Sequence, residues 1–373
     1  MTVSTIPFFD LRRILAPQRD QLLAAAAEVI DGGMFVLGER LADFEHAFAQ
    51  CCGARHAIGV GNGLDALRLM LRAAIELGRL APGDEVLVPG HTFIASALAI
   101  TDCGLTPVFV DVCPHTGLVG VEHLEQGAGP RTRGALVVHL YGQLCDMTAI
   151  QAWCDRRGIA LFEDAAQAHG ARLAGAGPGN FGAGAGFSFF PTKNLGALGD
   201  GGAVVTDDAK LAESVTRLRN YGSTVKYIHE SRGVNSRLDE IQAAFLQVRL
   251  AHFDSELEER RRLAGRYLAG LKNPLVRPLA WRTDHPESHV WHLFVVRSQA
   301  RDALRAWLER HGVATQIHYP IPPHLQGAYH ADRTPVLPAA ESLSREVLSL
   351  PLYPGLTDAE QDVVTAACNA FPG

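Results

Sequence analysis

The chain has 373 residues and a mass of 40.2 kDa, with a net charge of −6, 47% hydrophobic and 20% charged residues. Such a chain can bury a large core and suits one big domain plus a smaller one; its acidic balance argues against a nucleic-acid partner, and it holds no run of about 18 apolar residues to cross a membrane. Its first ten residues lack the basic and apolar regions of a signal peptide, seven scattered cysteines without a Cys-x-x-Cys predict a reducing cytoplasm, and sixteen histidines without paired ligand spacing predict no metal site.

In chain order, an N-terminal arm leads to helical spacing over residues 22–30 and 39–49. A brief strand at 58–60 breaks at Gly61-Asn62-Gly63. Residues 64–77 then place Leu64, Leu67, Leu71 and Ile75 on one face against Arg68, Arg72 and Glu76 on the other. This is an amphipathic helix whose first amides follow a glycine turn, a ready anion site. The stretch 59–64 departs from a dinucleotide fingerprint, because Leu64 stands where the third glycine belongs. Strands at 85–88, 107–110 and 135–140 alternate with helices at 94–103, 121–126 and 147–156, and a strand at 159–162 closes the series. The alternation predicts an α/β protein with a mostly parallel sheet covered by helices.

Two stretches carry the chemistry. The first is an apolar strand that closes on Glu163-Asp164, and open α/β sheets put ligand contacts at strand carboxyl ends. The second runs from Gly184 to Val205. Its apolar 187–190 reads as a buried strand ended by Pro191; Lys193 follows in a loop with Gly196, Gly199, Gly201 and Gly202. A lysine among Phe, Leu, Ala and Gly has few aqueous routes for its ammonium. Burial lowers its pKa and makes it a nucleophile toward carbonyls, as a Schiff-base lysine requires. Read alone, Lys193 equally suits a snorkelling surface lysine, and Asp164 a helix N-cap. Together, an Asp for a pyridinium nitrogen and a lysine for an aldehyde are the minimal protein kit for pyridoxal phosphate.

Helices are expected at 207–218 and 238–250. The charged segment from Asp254 follows, with Glu256–Arg260 and Glu258–Arg262 as i,i+4 pairs on a solvated helix that connects two domains. Residues 1–252 would form the large domain, and 253–373 the connecting helix with a small α+β domain built from a strand at 292–296 and helices at 301–311 and 358–370.

The chain resembles the DegT-type sugar-nucleotide aminotransferases, pyridoxal-phosphate enzymes of the aspartate aminotransferase fold. The resemblance is carried by Phe35-Val-Leu-Gly, Gly61-Asn-Gly-Leu-Asp-Ala-Leu, Gly83-Asp-Glu-Val-Leu-Val-Pro, His91-Thr-Phe-Ile-Ala-Ser and His139-Leu-Tyr-Gly-Gln, and by Glu163-Asp-Ala-Ala-Gln-Ala-His-Gly, the Phe187–Gly202 stretch and Gly233-Val-Asn-Ser-Arg. Asn62-Gly-Leu-Asp-Ala-Leu and Arg219-Asn-Tyr-Gly-Ser further resemble the subgroup that aminates C3 of dTDP-3-oxo-6-deoxyhexoses, with L-glutamate as donor.

The resemblance implies a type I fold with a seven-stranded sheet, and a homodimer with shared active sites. It implies that Lys193 carries pyridoxal 5'-phosphate and shuttles the proton, the cofactor passing through pyridoxamine 5'-phosphate during turnover. Asp164 would pair with the ring nitrogen and Gln167 approach the ring oxygen. Ser188 and the backbone of Gly63 and Leu64 would hold the phosphate, although a hydroxyl residue often stands in the family where Leu64 does. Phe93 would stack on the ring, a core position being the bland alternative, and Asn235 would reach the phosphate of the neighbouring subunit. Tyr221, His318, Tyr319 and His324 are candidates for the nucleotide-linked keto-sugar, while His169 reads as a satisfied core histidine. The rival readings are a same-fold dehydratase, which resembles this family with histidine in place of the lysine, a 4-aminotransferase, and a catalytically idle dimeric regulator.

Overall fold

Seven short strands rich in Val, Ala and Gly build the central sheet: β1 (His56–Val60), β2 (Glu85–Pro89), β3 (Thr106–Val110), β4 (Thr132–Val138), β5 (Ala160–Asp164), β6 (Gly184–Ser188) and β7 (Gly202–Thr206). The structure, a computed structural model, describes residues 5–329 and 335–373; residues 1–4 of the N-terminal arm lie outside the described residues. The spatial order is β1-β7-β6-β5-β4-β2-β3, and only β7 runs against the others. Successive side chains of a strand point to opposite faces, and the core divides accordingly. Ala135, Val137, Ala203 and Val205 join one apolar cluster, while Leu136, Val204, Val86 and Val88 join another across the sheet. Both faces are covered, the setting in which parallel strands read as continuous apolar runs.

The strand forecast for 187–190 sits at Gly184–Ser188 instead. Its last ladder partner is Ser188↔Gly202, after which Phe189 still packs inward while Phe190 is 50% exposed. A hairpin, β8 (Ser223–Val225) and β9 (Ile228–His229), follows the main sheet. Three antiparallel strands, β10 (Arg277–Pro278), β11 (Phe294–Arg297) and β12 (Val347–Leu350), form a second sheet, order β10-β11-β12. Helices Arg301–Arg310 and Asp358–Asn369 close its core, and Ile6 and Ile14 of the N-terminal arm join them.

The charged helix spans Phe253–Gly270, but the expected pairs along it do not form. Glu256 meets Arg249 at 2.7 Å, and Arg262 meets Asp358 at 2.7 Å. Arg260 is buried, donating to the carbonyls of Trp291, His292 and Leu352 at 3.3–3.4 Å. The helix buries one face, through Leu257, Arg260, Leu263 and Tyr267, and leaves Glu258 and Arg262 exposed on the other; Arg260 therefore answers carbonyls from elsewhere rather than a neighbour one turn away. Among the described residues no helix is long and apolar enough to cross a membrane.

Candidate active site

Strands β1, β2, β4, β5 and β6 all end at one edge of the sheet, and β7 begins there. A cavity of about 720 Å³ opens at that edge, where the strand order of an open α/β sheet leaves a crevice. Gly63 and Leu64 line it after β1, Phe93 after β2, Asp164 at the end of β5 and Gln167 just beyond. Ser188 lines it at the end of β6 and Lys193 from the β6–β7 loop, while His318 and Tyr319 close it from the C-terminal part of the chain.

Lys193 is set by a tight turn after Pro191, its N–H donating to the carbonyl of Phe190 at 2.8 Å. Leu195 and Ala197, both buried, anchor the loop behind it. Its amine makes no hydrogen bond or ion pair with the described residues. Burial pushes that amine down to about 8, and the charge of Asp164 opposes the shift. Asp164 is itself buried, and burial raises its carboxyl above the ordinary range. The carboxylate is partly repaid by Ser96 Oγ at 2.7 Å and by the N–H of Ala166 at 3.1 Å.

At the opposite end of the cavity, helix Gly63–Glu76 starts under Asn62, whose side chain accepts from the N–H of Asp65 at 2.9 Å. The amides of Gly63 and Leu64 precede the helical ladder and remain open, the usual state of a first helical turn. Two close approaches shape this corner. A Cβ at Gly63 would lie 2.6 Å from that of Ser188, and one at Gly202 would lie 2.4 Å from the carbonyl oxygen of Asn62. Both positions must be glycine for β6 and β7 to reach the helix terminus. The result is a small cradle of two amides and the Ser188 hydroxyl.

Between the two ends, Gln167 Oε1 accepts from the N–H of Tyr141 at 2.6 Å and its Nε2 donates to Tyr319 at 3.1 Å. Phe93 is 53% exposed, its ring 5.4 Å from that of Tyr319, so it faces the cavity and the core alternative falls. Burial, followed by the charge of Lys193, lowers His318 to about 4.

Three candidates stand outside this cavity in one chain. Asn235 is exposed, bridged to Asn220 beside the β8–β9 hairpin. Tyr221 is exposed at the base of that hairpin, with Arg237 stacked on its ring. His324 is completely buried against Phe109 and 3.6 Å from Glu341, so it does not reach the cavity as a sugar-binding candidate would. The proline-marked stretch looks like loop in sequence, but Pro323–Leu325 form a 3₁₀ turn whose His324 packs on Phe109 of β3. His169 is a core residue as expected, wedged among Phe48, Phe187 and Phe189. Neither of its ring nitrogens has a partner, however, so it is not satisfied. Sequence reasoning missed Ser96, Thr92 and Tyr141; the first two lay unused inside the His91-Thr-Phe-Ile-Ala-Ser motif, and Thr92 backs Ser96 at 2.9 Å.

This arrangement can hold an anion at one end, a cationic aromatic ring along its length and an electrophilic carbon at Lys193. Comparison with known proteins agrees. The profile of the DegT/DnrJ/EryC1/StrS aminotransferase family matches residues 17–369. A dTDP-3-amino-3,4,6-trideoxy-alpha-D-glucose transaminase of Streptomyces venezuelae is 49% identical over 356 residues, 94% of this chain and 92% of the relative. The crystal structure of S. venezuelae DesV superposes with a TM-score of 0.94 at 47% identity, covering 98% of each chain. NtdA of Bacillus subtilis, solved with bound cofactor PMP, superposes with a TM-score of 0.90 at 31% identity, covering 99% of this chain and 85% of that one. Extending almost from end to end, these matches establish that the chain belongs to the DegT/DnrJ/EryC1/StrS aminotransferase family.

Proposed function

We propose that this enzyme transfers an amino group from L-glutamate to C3 of a dTDP-linked 3-oxo-6-deoxyhexose, with pyridoxal 5'-phosphate as cofactor. The observation that carries the reading is Lys193, an amine lowered to about 8, in the same cavity as the buried carboxylate of Asp164. The residues fit the group. Lys193 would hold its aldehyde carbon, Asp164 its ring nitrogen and Gln167 Nε2 its ring oxygen, with Phe93 on one face. The amides of Gly63 and Leu64 with Ser188 would take the phosphate, and the open amides support that role without a hydroxyl at position 64. The aminotransferases of the comparison, one named for a dTDP-3-amino sugar and one solved with PMP, support substrate and cofactor.

When bound, the cofactor supplies an electron sink beside the carbon that must lose a proton. The chain does the rest. Asp164 is costly as a lone buried carboxylate, so a protonated ring nitrogen completes its environment and is held protonated by it. Lys193 Nζ, once free, would carry the proton from one of the two carbons bonded to the transferred nitrogen to the other; a pKa near 8 keeps both of its forms populated near neutral pH. Phe93 and Tyr319 would wall the ring from water, and His318 and Tyr319 would meet the sugar. Lys193 itself speaks against the dehydratase.

The working unit in this reading is a homodimer, with Asn235 reaching the phosphate cradle of its neighbour. Supporting it, Leu23, Ile30, Met34 and Phe35 are each more than half exposed along and just after helix Arg19–Gly32, an apolar surface that suits a second copy. The break between helices Glu240–Ala251 and Phe253–Gly270 supports a division into residues 1–252 and 253–373, and seven free cysteines support a cytoplasmic setting. The test is an assay of purified protein with glutamate against 3-oxo and 4-oxo nucleotide sugars. A 3-amino dTDP-sugar is the expected product; amination of only 4-oxo acceptors would refute the C3 assignment.

A further inference from the structure

Tyr141 takes no part in the cavity wall, yet two of its atoms make three hydrogen bonds around it. Its backbone is left-handed, with φ 62°, ψ 5°, an uncommon state for a residue with a side chain. Such strain persists where surrounding contacts over-determine it, often beside a functional site. Here the turn aims the Tyr141 N–H at Gln167 Oε1, 2.6 Å away. A backbone N–H can only donate, so Oε1 is fixed as the acceptor and the amide cannot flip. Gln167 Nε2 must then be the donor to Tyr319, at 3.1 Å. The Tyr319 oxygen accepts that bond, and its own hydrogen is left to point elsewhere.

The phenol end is fixed by the same logic. Tyr141 Oη meets the carbonyl oxygen of His318, which can only accept, so the phenol donates to it. Its oxygen then accepts from His91 Nε2, 2.8 Å away, and His91 is a neutral Nε2–H tautomer with Nδ1 facing Ser344 Oγ at 3.4 Å. His91 and Tyr141 are both buried, and burial lowers His91 to about 4, so this tautomer persists across neutral pH. From the other side Ser349 of β12 holds His318 Nδ1 at 2.8 Å. One side chain therefore ties the loops after β2 and β4 to the segment that carries His318 and Tyr319.

We propose that Tyr141, held by His91, is a positioning residue: its N–H sets Gln167 as a donor and its hydroxyl sets the 318–319 segment, so that Tyr319 presents its hydroxyl hydrogen to the amino acceptor. The inference rests on the cavity being the aminotransferase site. It predicts that the hydroxyl matters for binding the acceptor and hardly for the chemical step, because Tyr141 touches neither Lys193 nor Asp164.

The test compares Tyr141→Phe with the parent as full-length protein. Removing the hydroxyl should raise amide exchange in peptides covering residues 316–329 and raise the KM for the nucleotide keto-sugar by about three- to tenfold, the range one lost hydrogen bond supplies. The kcat should stay within about twofold, the pattern of lost uniform binding. His91→Leu should move KM the same way, and His91→Gln, whose amide can still donate to the phenol, should restore it; this pair decides the matter if Tyr141→Phe folds poorly. Unchanged KM in folded variants, or a fall in kcat at constant KM, would overturn the proposal. If the parent itself aminates no nucleotide sugar, the functional reading fails separately, and the exchange comparison alone upholds or overturns the coupling.

Discussion

Replacing Asp164 with Asn separates what the carboxylate does for stability from what it does for catalysis. The surroundings tolerate the swap. Asn Oδ1 can accept the Ala166 N–H now 3.1 Å from Asp164, and Asn Nδ2 can donate to Ser96 Oγ, which turns its own hydrogen toward Thr92 Oγ1 at 2.9 Å. The sign of the stability change follows from the raised carboxyl pKa. A carboxyl raised in the fold contributes stability below its unfolded pKa and loses it as pH rises through the folded one. Above its raised pKa the cofactor-free parent therefore carries an unfavourable buried charge, and there Asp164→Asn should melt at the same temperature or higher. Turnover should go the other way. Removing one partner of a buried ion pair costs about 3–5 kcal/mol, and each ~1.36 kcal/mol of lost transition-state stabilisation is about tenfold, so the rate should fall by two to four powers of ten. Thermal melts of cofactor-free protein and steady-state kinetics of loaded protein read the two effects. A variant with near-native turnover would show that another group faces the ring; one that melts far below the parent would show that the charge is structural.

Three further outcomes follow from the same geometry. Because Lys193 sits near 8, covalent capture of pyridoxal phosphate by cofactor-free enzyme should speed up as pH rises through about 8, and Asp164→Asn should shift that midpoint lower, since the Asp164 charge is what opposes the burial effect; stopped-flow absorbance would show it, and a midpoint near a solvated lysine's value would refute the burial. Gly63→Ala should cost about 1–3 kcal/mol in a denaturant melt and weaken cofactor affinity, because its Cβ would lie 2.6 Å from that of Ser188; unchanged affinity would remove this corner from the phosphate site. Lys193→Ala and Asn235→Asp chains, each inactive alone, should regain activity on subunit exchange, because one site of the heterodimer is then intact; a verified heterodimer without activity would place Asn235 in its own subunit's business or in none.

What was legible in the sequence is what depends on neighbours along the chain. The strand closing on Asp164, the glycine turn before helix Gly63–Glu76 and the loop around Lys193 each declare themselves by local pattern, and parallel topology then brings their ends to one edge. The errors fell where side-chain partners come from far along the chain. Arg260 looked solvated because its sequence neighbours are charged, yet the carbonyls that bury it belong to residues 291, 292 and 352. His324 looked like loop because proline surrounds it, and only the packing of β3 and helix Pro338–Glu346 encloses it. Ser96 and Tyr141 could not be singled out, since a serine in an apolar helix and a tyrosine before glycine carry no signal until Asp164 and Gln167 are beside them.

Lys193 is the residue that would bind the cofactor's aldehyde. Protein loaded with pyridoxal phosphate, reduced with borohydride and digested, should yield a single pyridoxyl-bearing peptide with the label on Lys193. A label on another lysine, or a loaded protein that borohydride does not label at all, would contradict it.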